Sequence, residues 1–489
     1  MKKKIAIIGA GFSGLSAAAF LAHHGMEVEV FEKNDTPGGR AKQLLANGFS
    51  FNMGPAFYYL PDVFENFFEQ FGKKPSDFYE LRKIDPSCRI FNKDKEYVDI
   101  PADILKLADL FESMEKGSGD QLKRFLNDAR KKYELGMKKL AYKPSLSIWE
   151  FVEPWLFRGL IRMDFIRSVS QTLRDFFHDP RLLRMLEFPV IFLGAKPSEM
   201  PAIYTFINYA DLALGSWYPV GGMHTVSDAL YRLAIAEGAR FHFNSPVTHI
   251  VTNDNKATGL RVKEEYLEAD IILSTADYHF TETALLDPDK RSYSPSYWEK
   301  KIMAPSALLF YIGLNRRIEG LLHHNLFFDE DFSLHAEEMY DRPQWPSSPV
   351  MHVACSSKTD PDTAPPGQEN LVVLIPVAPG LTQNADRIQS YFDLFLARFE
   401  KLTGENIRDS IVFMKSYGPD DFTADYHSFK GTAFGMANTL FQTAVFKPSL
   451  KSKKVKNLFY AGQLTVPGPG VPTCIISGQI AATEILKRV

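Results

Sequence analysis

The sequence has few cysteines and no pattern of metal ligands. Its 489 residues include three cysteines that lie far apart, Cys88, Cys355 and Cys474. A disulfide framework or a zinc site needs more cysteines or closer spacing, so we exclude both and expect a reducing compartment, the cytoplasm. The adjacent pairs His23-His24 and His323-His324 have no Cys or carboxylate at ligand spacing. We therefore expect no metal site.

The chain also lacks a strong charge of either sign. Lys and Arg number 56, and Asp and Glu number 59, which gives a net charge of −3. No basic field indicates nucleic acid as a partner. The length predicts two or three lobes rather than one. We find no internal repeat and no low-complexity tract.

A long uncharged run, Ile5–Ala22, follows three lysines and has the form of a signal sequence or a membrane helix. Glycines interrupt this run at regular spacing, and an alternating apolar segment, Glu27–Phe31, follows at once. We therefore predict a strand over Lys4–Ile8, a glycine turn and a helix over Gly14–His24, with no transmembrane span.

The turn between this strand and this helix has the spacing Gly9-x-Gly11-x-x-Gly14. Gly9 allows a sharp turn, Gly11 lets the backbone approach a pyrophosphate, and Gly14 lets the helix pack close to the sheet. The helix N-terminus offers free N–H groups and a partial positive charge to phosphates. Glu32, at the end of the second strand, is placed to accept hydrogen bonds from ribose hydroxyls. Together these features predict a dinucleotide site.

A second glycine pair, Gly38-Gly39, is followed by Arg40, a cation suited to a second phosphate contact. The stretch Glu32–Arg40 resembles the N-terminal signature of the flavoprotein group that includes amine oxidases and carotenoid desaturases. The cofactor of that group is FAD, so the resemblance implies FAD. No second GxGxxG motif occurs, and we expect no bound nicotinamide.

Two later regions extend the predicted site. At the C-terminus we predict a short strand over Lys456–Gly462, a rigid loop over Pro467–Pro472 and a helix over Thr473–Lys487 with Thr473 as its cap. Such a helix would direct its positive end at the flavin pyrimidine ring. In the middle of the chain we predict a helix over His224–Glu237 and strands over Arg240–Thr252 and Ala269–Ala276.

These pieces predict an α/β fold with a Rossmann-like, discontinuous FAD-binding domain made of residues 1–79, 216–286 and 426–489. The rest of the chain forms two insertions. Residues 80–215 are mainly helical in pattern, including a helix over Lys123–Leu140, and we interpret them as a helical membrane-associating subdomain that also contacts substrate. Within them, Ile148–Ser168 mixes aromatic residues with arginines, which suits a helix in a membrane interface; a helix buried between lobes is the alternative.

The second insertion, residues 287–425, is predicted to be a mixed-sheet substrate domain beside the flavin. Its predicted elements are strands over Ala307–Leu314, Met351–Ala354 and Leu371–Val377 and a helix over Asp386–Leu402.

The chain as a whole resembles a bacterial carotenoid desaturase of the phytoene desaturase type. The segments that carry the resemblance are Phe49–Pro61, Phe192–Pro219, Pro219–Met223 and Ala461–Gly478. This sequence departs from the family in two places. In the motif around Asn52, that residue stands where the family often has an acid, and Ala56-Phe57 stands where Thr or Ser follows Gly-Pro. The second place is Gln463, which stands where many flavoproteins have an acid or a small residue. The departures put in doubt which carotenoid is bound and which bond is oxidised.

The resemblance implies removal of two hydrogens from adjacent saturated carbons of an acyclic or partly cyclic carotenoid. A hydride would pass to flavin N5, aromatic rings would stabilise the allylic cation, and a proton would leave to a carboxylate or water. Phe57, Tyr58, Trp217 and Tyr218 are the implied substrate contacts. Asp211 is our candidate proton acceptor, with an ordinary surface acid as the alternative. The implied FAD contacts are Gly9, Gly11, Phe12, Ser13, Gly14, Glu32, Lys33, Gly39, Arg40, Gly54, Pro55, Ala56, Val247, Gly462, Gln463, Val471, Pro472 and Thr473.

Several alternatives stay open at this level. A phytoene-like substrate and a 1′-hydroxy-carotenoid oxidised at the 3,4 bond are both compatible with the sequence. A related flavin-dependent carotenoid isomerase, terminal oxidase or retinol-type saturase shares the same motifs, and an FAD-retaining carotenoid carrier would not be an enzyme. We expect oxygen or a quinone as the electron acceptor, and peripheral attachment to the inner membrane from the cytoplasmic side, because the substrate is insoluble in water.

Overall fold

A computed structural model describes residues 2–93, 96–151, 167–191, 193–330 and 332–489. The strands in this part of the chain are β1 Lys4–Ile8, β2 Glu27–Phe31, β3 Gln43–Ala46, β4 Phe49–Asn52, β5 Leu81–Lys83, β6 Cys88–Phe91, β7 Tyr97–Ile100, β8 Trp217–Pro219, β9 Arg240–His242, β10 Val247–Asn253, β11 Lys256–Val262, β12 Glu265–Glu268, β13 Ile271–Ser274, β14 Ser306–Leu314, β15 His324–Phe327, β16 Met351–Ala354, β17 Glu369–Val377, β18 Ile411–Tyr417 and β19 Leu458–Tyr460.

The α-helices of the described residues are α1 Phe12–His23, α2 Pro61–Glu69, α3 Ile104–Met114, α4 Ser118–Leu135, α5 Val169–Leu173, α6 Pro180–Ile191, α7 Phe206–Leu212, α8 His224–Ala236, α9 Tyr278–Ala284, α10 Pro295–Glu299, α11 Phe332–Tyr340, α12 Ala385–Thr403, α13 Pro419–Tyr426 and α14 Val471–Leu486.

One sheet, which we call the parallel sheet, has the strand order β19-β13-β1-β2-β9, and all its neighbours run parallel. Strand β1 is apolar on both faces because both faces are covered. Ile5 and Ile7 pack with helices α1, α8 and α14, whereas Ala6 and Ile8 pack with the antiparallel sheet β10-β11-β12. The carboxyl ends of β1, β2, β13 and β19 therefore meet at one edge of the sheet.

The strand predicted over Arg240–Thr252 is wrong as a single element. Arg240–His242 pairs with β2 in the parallel sheet, and Val247–Asn253 starts the antiparallel sheet. Pro246 lies between them, and Asn244 has a φ of +51°. Because proline offers no N–H to a ladder and Asn244 turns the chain, the segment passes from one sheet to the other.

A second sheet, which we call the mixed sheet, has the order β18-β14-β17-β16-β15-β6-β7. Its neighbours are antiparallel except for the parallel pair β15–β6. The strands predicted within residues 287–425 are confirmed. The edge strands β6 and β7, however, come from the region that we assigned to helices, so residues 88–100 extend the sheet instead.

The two faces of the mixed sheet have different neighbours. Phe310 and Val373 point to helix α12 and pack with Phe395. Leu309 and Tyr311, one residue out of phase, pack with the hairpin β3–β4. This second face is therefore turned toward the chain that follows β4, and we call it the substrate face.

Helices α3 to α7 enclose an aromatic cluster around Phe111, Phe125 and Phe177. The helix predicted over Lys123–Leu140 is present as α4 and a following π-helical turn, Gly136–Leu140. Of the predicted interfacial segment Ile148–Ser168, residues 152–166 lie outside the described residues. None of the helices that the structure describes combines the length and apolarity needed to cross a bilayer.

Candidate cofactor and substrate sites

The glycine turn at the end of β1 is shaped by steric limits. Gly9 has a φ of +98° and donates its N–H to Phe31 O (2.8 Å). A Cβ on Gly14 would overlap the Gly9 carbonyl oxygen, whereas a Cβ on Gly11 would meet no atom within 4 Å. The space beside Gly14 is thus filled by the protein, whereas the space beside Gly11 is free, and a phosphate would approach there.

Helix α1 begins at Phe12, two residues before the predicted start at Gly14. Its ladder starts with Leu15 N donating to Gly11 O (2.9 Å). The N–H groups of Phe12, Ser13 and Gly14 therefore precede the ladder and face the open side of the turn. This is the arrangement that binds phosphate at a helix N-terminus.

Glu32 is 6% exposed and lies at the end of β2. Its carboxylate accepts hydrogen bonds from Ala10 N (2.7 Å) and Asn34 N (2.9 Å). Asn34 Nδ2 also donates to this carboxylate (2.9 Å), and since a carboxylate has about four acceptor positions, one remains for a ribose hydroxyl. Ser245 N donates to Glu32 O (2.8 Å), which brings the buried Val247 to the same edge.

The second glycine pair packs on the first. Gly38 N donates to Ala10 O (2.9 Å), and a Cβ on Gly39 would lie 3.3 Å from Gly11 Cα. The next residue, Arg40, has a buried guanidinium whose Nη2 donates to Ser428 Oγ (2.8 Å). Its Nε is buried without a partner.

A buried N–H without an acceptor costs about 1–3 kcal/mol, so the free Nε of Arg40 indicates an anionic ligand beside it. Burial lowers the pKa of Arg40, and Asp277 opposes that shift. Burial in turn raises the pKa of the Asp277 carboxyl to about 6, against the hydrogen bonds from Phe280 N and Phe429 N and the charge of Arg40.

Helix α14 presents a second N-terminus to this edge. It begins at Val471 with Gly470 as its N-cap, and its ladder starts with Cys474 N donating to Gly470 O (2.9 Å). The prediction of Thr473 as the cap is wrong. Thr473 lies inside the first turn, and its hydroxyl donates to Pro469 O (2.6 Å), because the glycine takes the cap with a φ of +117°.

Helices α1 and α14 lie against each other. Ser13 Oγ donates to Cys474 O (2.9 Å), and Gly462 N donates to Ser477 Oγ (2.9 Å). A Cβ on Gly478 would overlap the Ser13 carbonyl oxygen. We did not predict this role for Gly478, although a glycine in the middle of an apolar helix is a signal of close packing.

Five further predicted FAD contacts are Gly54, Pro55, Ala56, Gln463 and Lys33. The turn Gly54-Pro55-Ala56 is held close to the backbone of Arg40, because a Cβ on Gly54 would overlap the Arg40 carbonyl oxygen. Gln463 packs against Gly435, and Lys33 Nζ donates to Ala424 O (2.9 Å). The lysine ammonium thus already has a protein partner, whereas the Arg40 guanidinium keeps a free N–H.

The four predicted substrate residues fall into two groups. Phe57 and Trp217 are partly exposed, and Phe57 stacks on Tyr59 with ring centroids 5.1 Å apart. Tyr218 is 1% exposed, and its hydroxyl donates to Asp360 Oδ2 (3.2 Å), so it lies in the core rather than at a surface that a substrate reaches.

Tyr58 is not placed to contact a substrate. It is 1% exposed, stacks on Phe64 (4.2 Å between centroids) and shares a hydrogen bond between its hydroxyl and that of Tyr79 (2.9 Å). Its neighbours Phe57 and Tyr59 point the other way because side chains alternate along extended chain. We therefore correct the prediction and place Tyr58 in the core.

Asp211 is a mostly buried acid on α7. Ser216 Oγ donates to its Oδ1 (3.2 Å), and the Tyr59 hydroxyl is a second hydrogen-bond partner. Burial raises the pKa of the Asp211 carboxyl above its usual value, and these two hydrogen bonds oppose the shift. Through Tyr59, Asp211 is linked to Phe57 and so to the predicted reaction site.

Sequence reasoning missed a group of buried histidines on the mixed sheet. His324 Nδ1 lies 3.1 Å from His352 Nε2, and the His324 ring stacks on Phe57 (4.0 Å between centroids). The neighbouring His323 pairs with Thr359 Oγ1 (2.7 Å). The pair His323-His324 is visible in the sequence, but nothing there brings in His352.

These features fit an FAD. Two helix N-termini, an acid for ribose, a buried arginine with a free N–H and an open glycine turn converge on one edge of the parallel sheet. The residues that would hold the pyrophosphate are those of the turn at Gly9–Gly14 and Arg40. The helix α14 N-terminus would face the flavin ring. This combination defines the class of FAD-dependent oxidoreductases.

Comparison with known proteins gives the family. The family model of flavin containing amine oxidoreductases matches residues 12–486, and the chain belongs to that family. A carotenoid 3,4-desaturase from Haloarcula japonica is 36% identical over 486 residues, 99% of this chain and 98% of the relative. A zeta-carotene-forming phytoene desaturase from Myxococcus xanthus is 32% identical over 99% of this chain and 94% of the relative.

The fold is shared more widely. A solved structure of a putrescine oxidase variant superimposes with a TM-score of 0.66, covering 100% of both chains at 15% identity. The expected α/β fold, the FAD cofactor and the resemblance to carotenoid desaturases are confirmed by these comparisons.

Proposed function

We propose that this chain is an FAD-dependent carotenoid desaturase of carotenoid biosynthesis. The observation that carries the proposal is similarity over the whole length to a carotenoid 3,4-desaturase, 36% identity across 99% of the chain. The geometry is consistent with it, because an FAD edge of the parallel sheet adjoins an apolar face of the mixed sheet. FAD, when bound, accepts the hydride removed from the substrate.

The side chains support oxidation of an unactivated C–H bond. Phe57 and Trp217 offer partly exposed aromatic faces, which stabilise positive charge on a polyene. Asp211 is the acid that we propose as the proton acceptor, since its raised pKa keeps it a usable base near the apolar site. Tyr59, which connects Asp211 with Phe57, is a positioning residue in this proposal.

Oxidation at the 3,4 bond is the reaction that we favour within this class, because the Haloarcula japonica relative is named for that bond. Oxygen or a membrane quinone would take the electrons from the reduced cofactor.

We also propose peripheral docking on the membrane. An apolar patch made of Ile302, Leu440, Phe441 and Phe446 is exposed, with Phe441 at 73%. Gln442 Oε1 accepts from Ile302 N (3.0 Å) and joins its two segments. Flotation of the FAD-loaded enzyme with lipid vesicles should fall on changing Phe441 and Phe446 to serine, but not on changing Leu45, exposed to 69% elsewhere. Equal flotation of all three proteins would contradict this docking surface.

Product analysis tests the function. The FAD-loaded enzyme, incubated with acyclic carotenoids in vesicles, should yield products that are two mass units lighter per step and absorb at longer wavelength. An unchanged mass with altered cis/trans pattern would indicate an isomerase, a terminal aldehyde an oxidase, and a gain of two hydrogens a saturase. If no carotenoid were converted to any product, the FAD-retaining carotenoid carrier would be the remaining function.

A further inference from the structure

The C-terminal part of the chain carries charge of one sign only. Residues 427–483 contain six lysines and no Asp, Glu or Arg. The same stretch holds three of the four residues of the apolar patch, Leu440, Phe441 and Phe446. Cationic and exposed apolar side chains are thus combined in one region, although the whole chain has a net charge of −3.

Three lysines gather around a pair of stacked tyrosines. The ring centroids of Tyr293 and Tyr297 are 4.3 Å apart. Lys453 Nζ lies 4.3 Å from the centroid of the Tyr293 ring, and Lys301 Nζ lies 4.4 Å from that of the Tyr297 ring. The third lysine, Lys447, is close enough to Lys301 for the two charges to repel each other. We call Lys301, Lys447 and Lys453 the lysine cluster.

The lysine cluster adjoins the apolar patch at two points. Lys301 precedes Ile302 in the chain, and Lys447 follows Phe446; Ile302 is 52% exposed and Phe446 is 50% exposed. Gln442 joins the two segments, because its Oε1 accepts from Ile302 N (3.0 Å) and its Nε2 donates to Ile302 O (2.9 Å). The cationic and the apolar side chains therefore form one continuous surface.

The lysine cluster lacks negative partners. Lys447 Nζ is buried and has no hydrogen-bond partner among the described residues. Burial and the charge of Lys301 lower the pKa of Lys447 to about 7, and burial lowers the pKa of Lys301. No carboxylate in the described part of the chain opposes either shift. Like charges held together without a counter-charge are unfavourable, so this arrangement calls for an anion.

An anion can reach the lysine cluster from the solvent. Lys453 is exposed, and Lys301 is partly exposed. The buried Lys447 directly follows the exposed Phe446, and its four-carbon stem is flexible, so rotation of the stem can bring the ammonium to the surface. Lys447 would then join Lys301 and Lys453 around a bound anion.

The apolar patch indicates the kind of anion. A phospholipid bilayer presents phosphate groups above acyl chains, so Phe441 and Phe446 can enter the acyl region while lysines meet the phosphates. A nucleic acid also presents phosphates, but Ile302 and Leu440 are aliphatic and offer no ring on which bases stack. A free phosphate ion would leave the apolar patch uncovered.

We propose that the lysine cluster binds the phosphate groups of anionic phospholipids while the apolar patch enters the bilayer. This inference rests on the peripheral docking proposed above and deepens it, because it names the class of lipid. Docking then depends on anionic lipid, and not on the exposed apolar side chains alone.

Flotation with two kinds of vesicle tests the proposal on the full-length, FAD-loaded protein. One kind is phosphatidylcholine alone, and the other is an equal mixture of phosphatidylcholine and phosphatidylglycerol. The wild-type chain should bind the mixed vesicles roughly 10-fold or more tightly, since each lysine near an anionic surface contributes about fivefold. Raised salt should remove most of this difference, because it screens the lysine charges.

Variants assign the effect to the lysine cluster. Lys301→Gln combined with Lys453→Gln should lower binding to the mixed vesicles roughly 10- to 30-fold and leave binding to phosphatidylcholine within about twofold. The control, Lys401→Gln with Lys415→Gln, removes the same charge from exposed positions on α12 and β18 and should change binding by less than about twofold. Lys447→Met keeps the apolar stem and should lower binding to the mixed vesicles about fivefold, yet raise the melting temperature, since an unpaired buried ammonium is removed.

Each outcome supports or refutes the lipid site. Equal binding of the wild type to both kinds of vesicle overturns it, and this comparison needs no variant. An equal loss in the cluster and control variants also overturns it, because only net charge would then matter. Binding to neither kind of vesicle refutes the docking as well, and retention by RNA without preference for anionic vesicles makes the lysines a nucleic-acid surface. Carotenoid conversion is measured separately, so failure of the desaturase function is distinguished from failure of the lipid site.

Discussion

At the edge of the parallel sheet, the groups that await a ligand belong mostly to the backbone. The free N–H groups of α1 and α14 and the open space at Gly11 are set by where glycines allow the chain to turn. On the substrate side, the groups that carry the proposed chemistry are side chains. Phe57 and Asp211 come from distant segments and are connected, through Tyr59, only in the fold. A cofactor of fixed shape is held by backbone geometry, whereas side chains can change with the substrate.

The largest effect that we expect concerns the substrate side. Asp211→Asn should lower kcat roughly 100-fold or more, because general base catalysis contributes about 10²–10⁴-fold. A raised pKa means that the protonated, inactive carboxyl persists to higher pH than for an ordinary Asp. Wild-type kcat should therefore rise with pH through this pKa, and the profile should flatten in the variant. Steady-state turnover against pH measures both, because flavin reduction alone reports the hydride step that precedes loss of the proton.

Ser216→Ala is the control for Asp211. It removes one donor to the carboxylate and leaves the carboxylate itself. Since that hydrogen bond lowers the pKa, its loss should move the pH profile to higher pH with little change in the limiting rate. If the Asp211→Asn enzyme kept the wild-type kcat, Asp211 would not be the proton acceptor, and the proton would leave to water.

The next effect separates cofactor binding from folding at the glycine turn. Gly11→Ala should weaken FAD binding roughly 10- to 100-fold, because the new methyl fills the space in front of the turn. The melting temperature of the cofactor-free chain should change little. Gly14→Ala should lower both the FAD affinity and the melting temperature, since its methyl overlaps the Gly9 carbonyl. Flavin titration measures the FAD affinity of both variants, and calorimetry measures their melting temperatures. If the two variants lost the same affinity and the same melting temperature, the phosphate would not approach in front of Gly11.

A smaller effect compares the two cations at the cofactor edge. Arg40→Lys keeps the charge but loses the planar fork, and FAD affinity should fall about tenfold. Lys33→Met should leave affinity within about threefold, because the ammonium is already bound to Ala424 O. Flavin release on dilution reports both values. If Lys33→Met lost more FAD affinity than Arg40→Lys, then Lys33 rather than Arg40 would be the cation that contacts the cofactor.

The smallest effect tests the corrected position of Tyr58. Tyr58→Phe should cost about 1 kcal/mol in the free energy of unfolding, through loss of the bond to Tyr79, and leave kcat/KM unchanged. Phe57→Leu should do the opposite, lowering kcat/KM with little change in stability. Chemical denaturation and turnover assays distinguish them, and a turnover defect in Tyr58→Phe would restore Tyr58 to the substrate site.

The same contrast explains what could be predicted from the sequence. The turn at Gly9–Gly14, Glu32 and Arg40 were predictable because their chemistry depends on spacing along a local strand–turn–helix unit. The helix cap was placed at Thr473 rather than Gly470 because a glycine with positive φ looks like loop until the backbone is seen. Tyr58 was misplaced because neighbouring aromatic residues alternate between two sides, and the sequence alone does not say which side is core.

The contribution of β6 and β7 to the mixed sheet was not predicted either. Strand β6 pairs with β15, more than 200 residues away in the chain, and β7 continues the sheet by pairing with β6, so no local pattern marks them. His352 joins His324 for the same reason, through the register of β15 on β16. Pairings of this kind depend on the global topology, which short-range periodicity does not contain.

Anaerobic mixing of the FAD-loaded enzyme with a substrate carotenoid tests the central claim most directly. We predict that the oxidised flavin absorbance is lost with single-exponential kinetics. One carotenoid should gain one double bond for each flavin reduced, and readmitted oxygen or an added quinone should restore the flavin spectrum. A flavin that stays oxidised with every acyclic and hydroxylated carotenoid, in a protein that retains its cofactor and binds the pigment, would contradict desaturation.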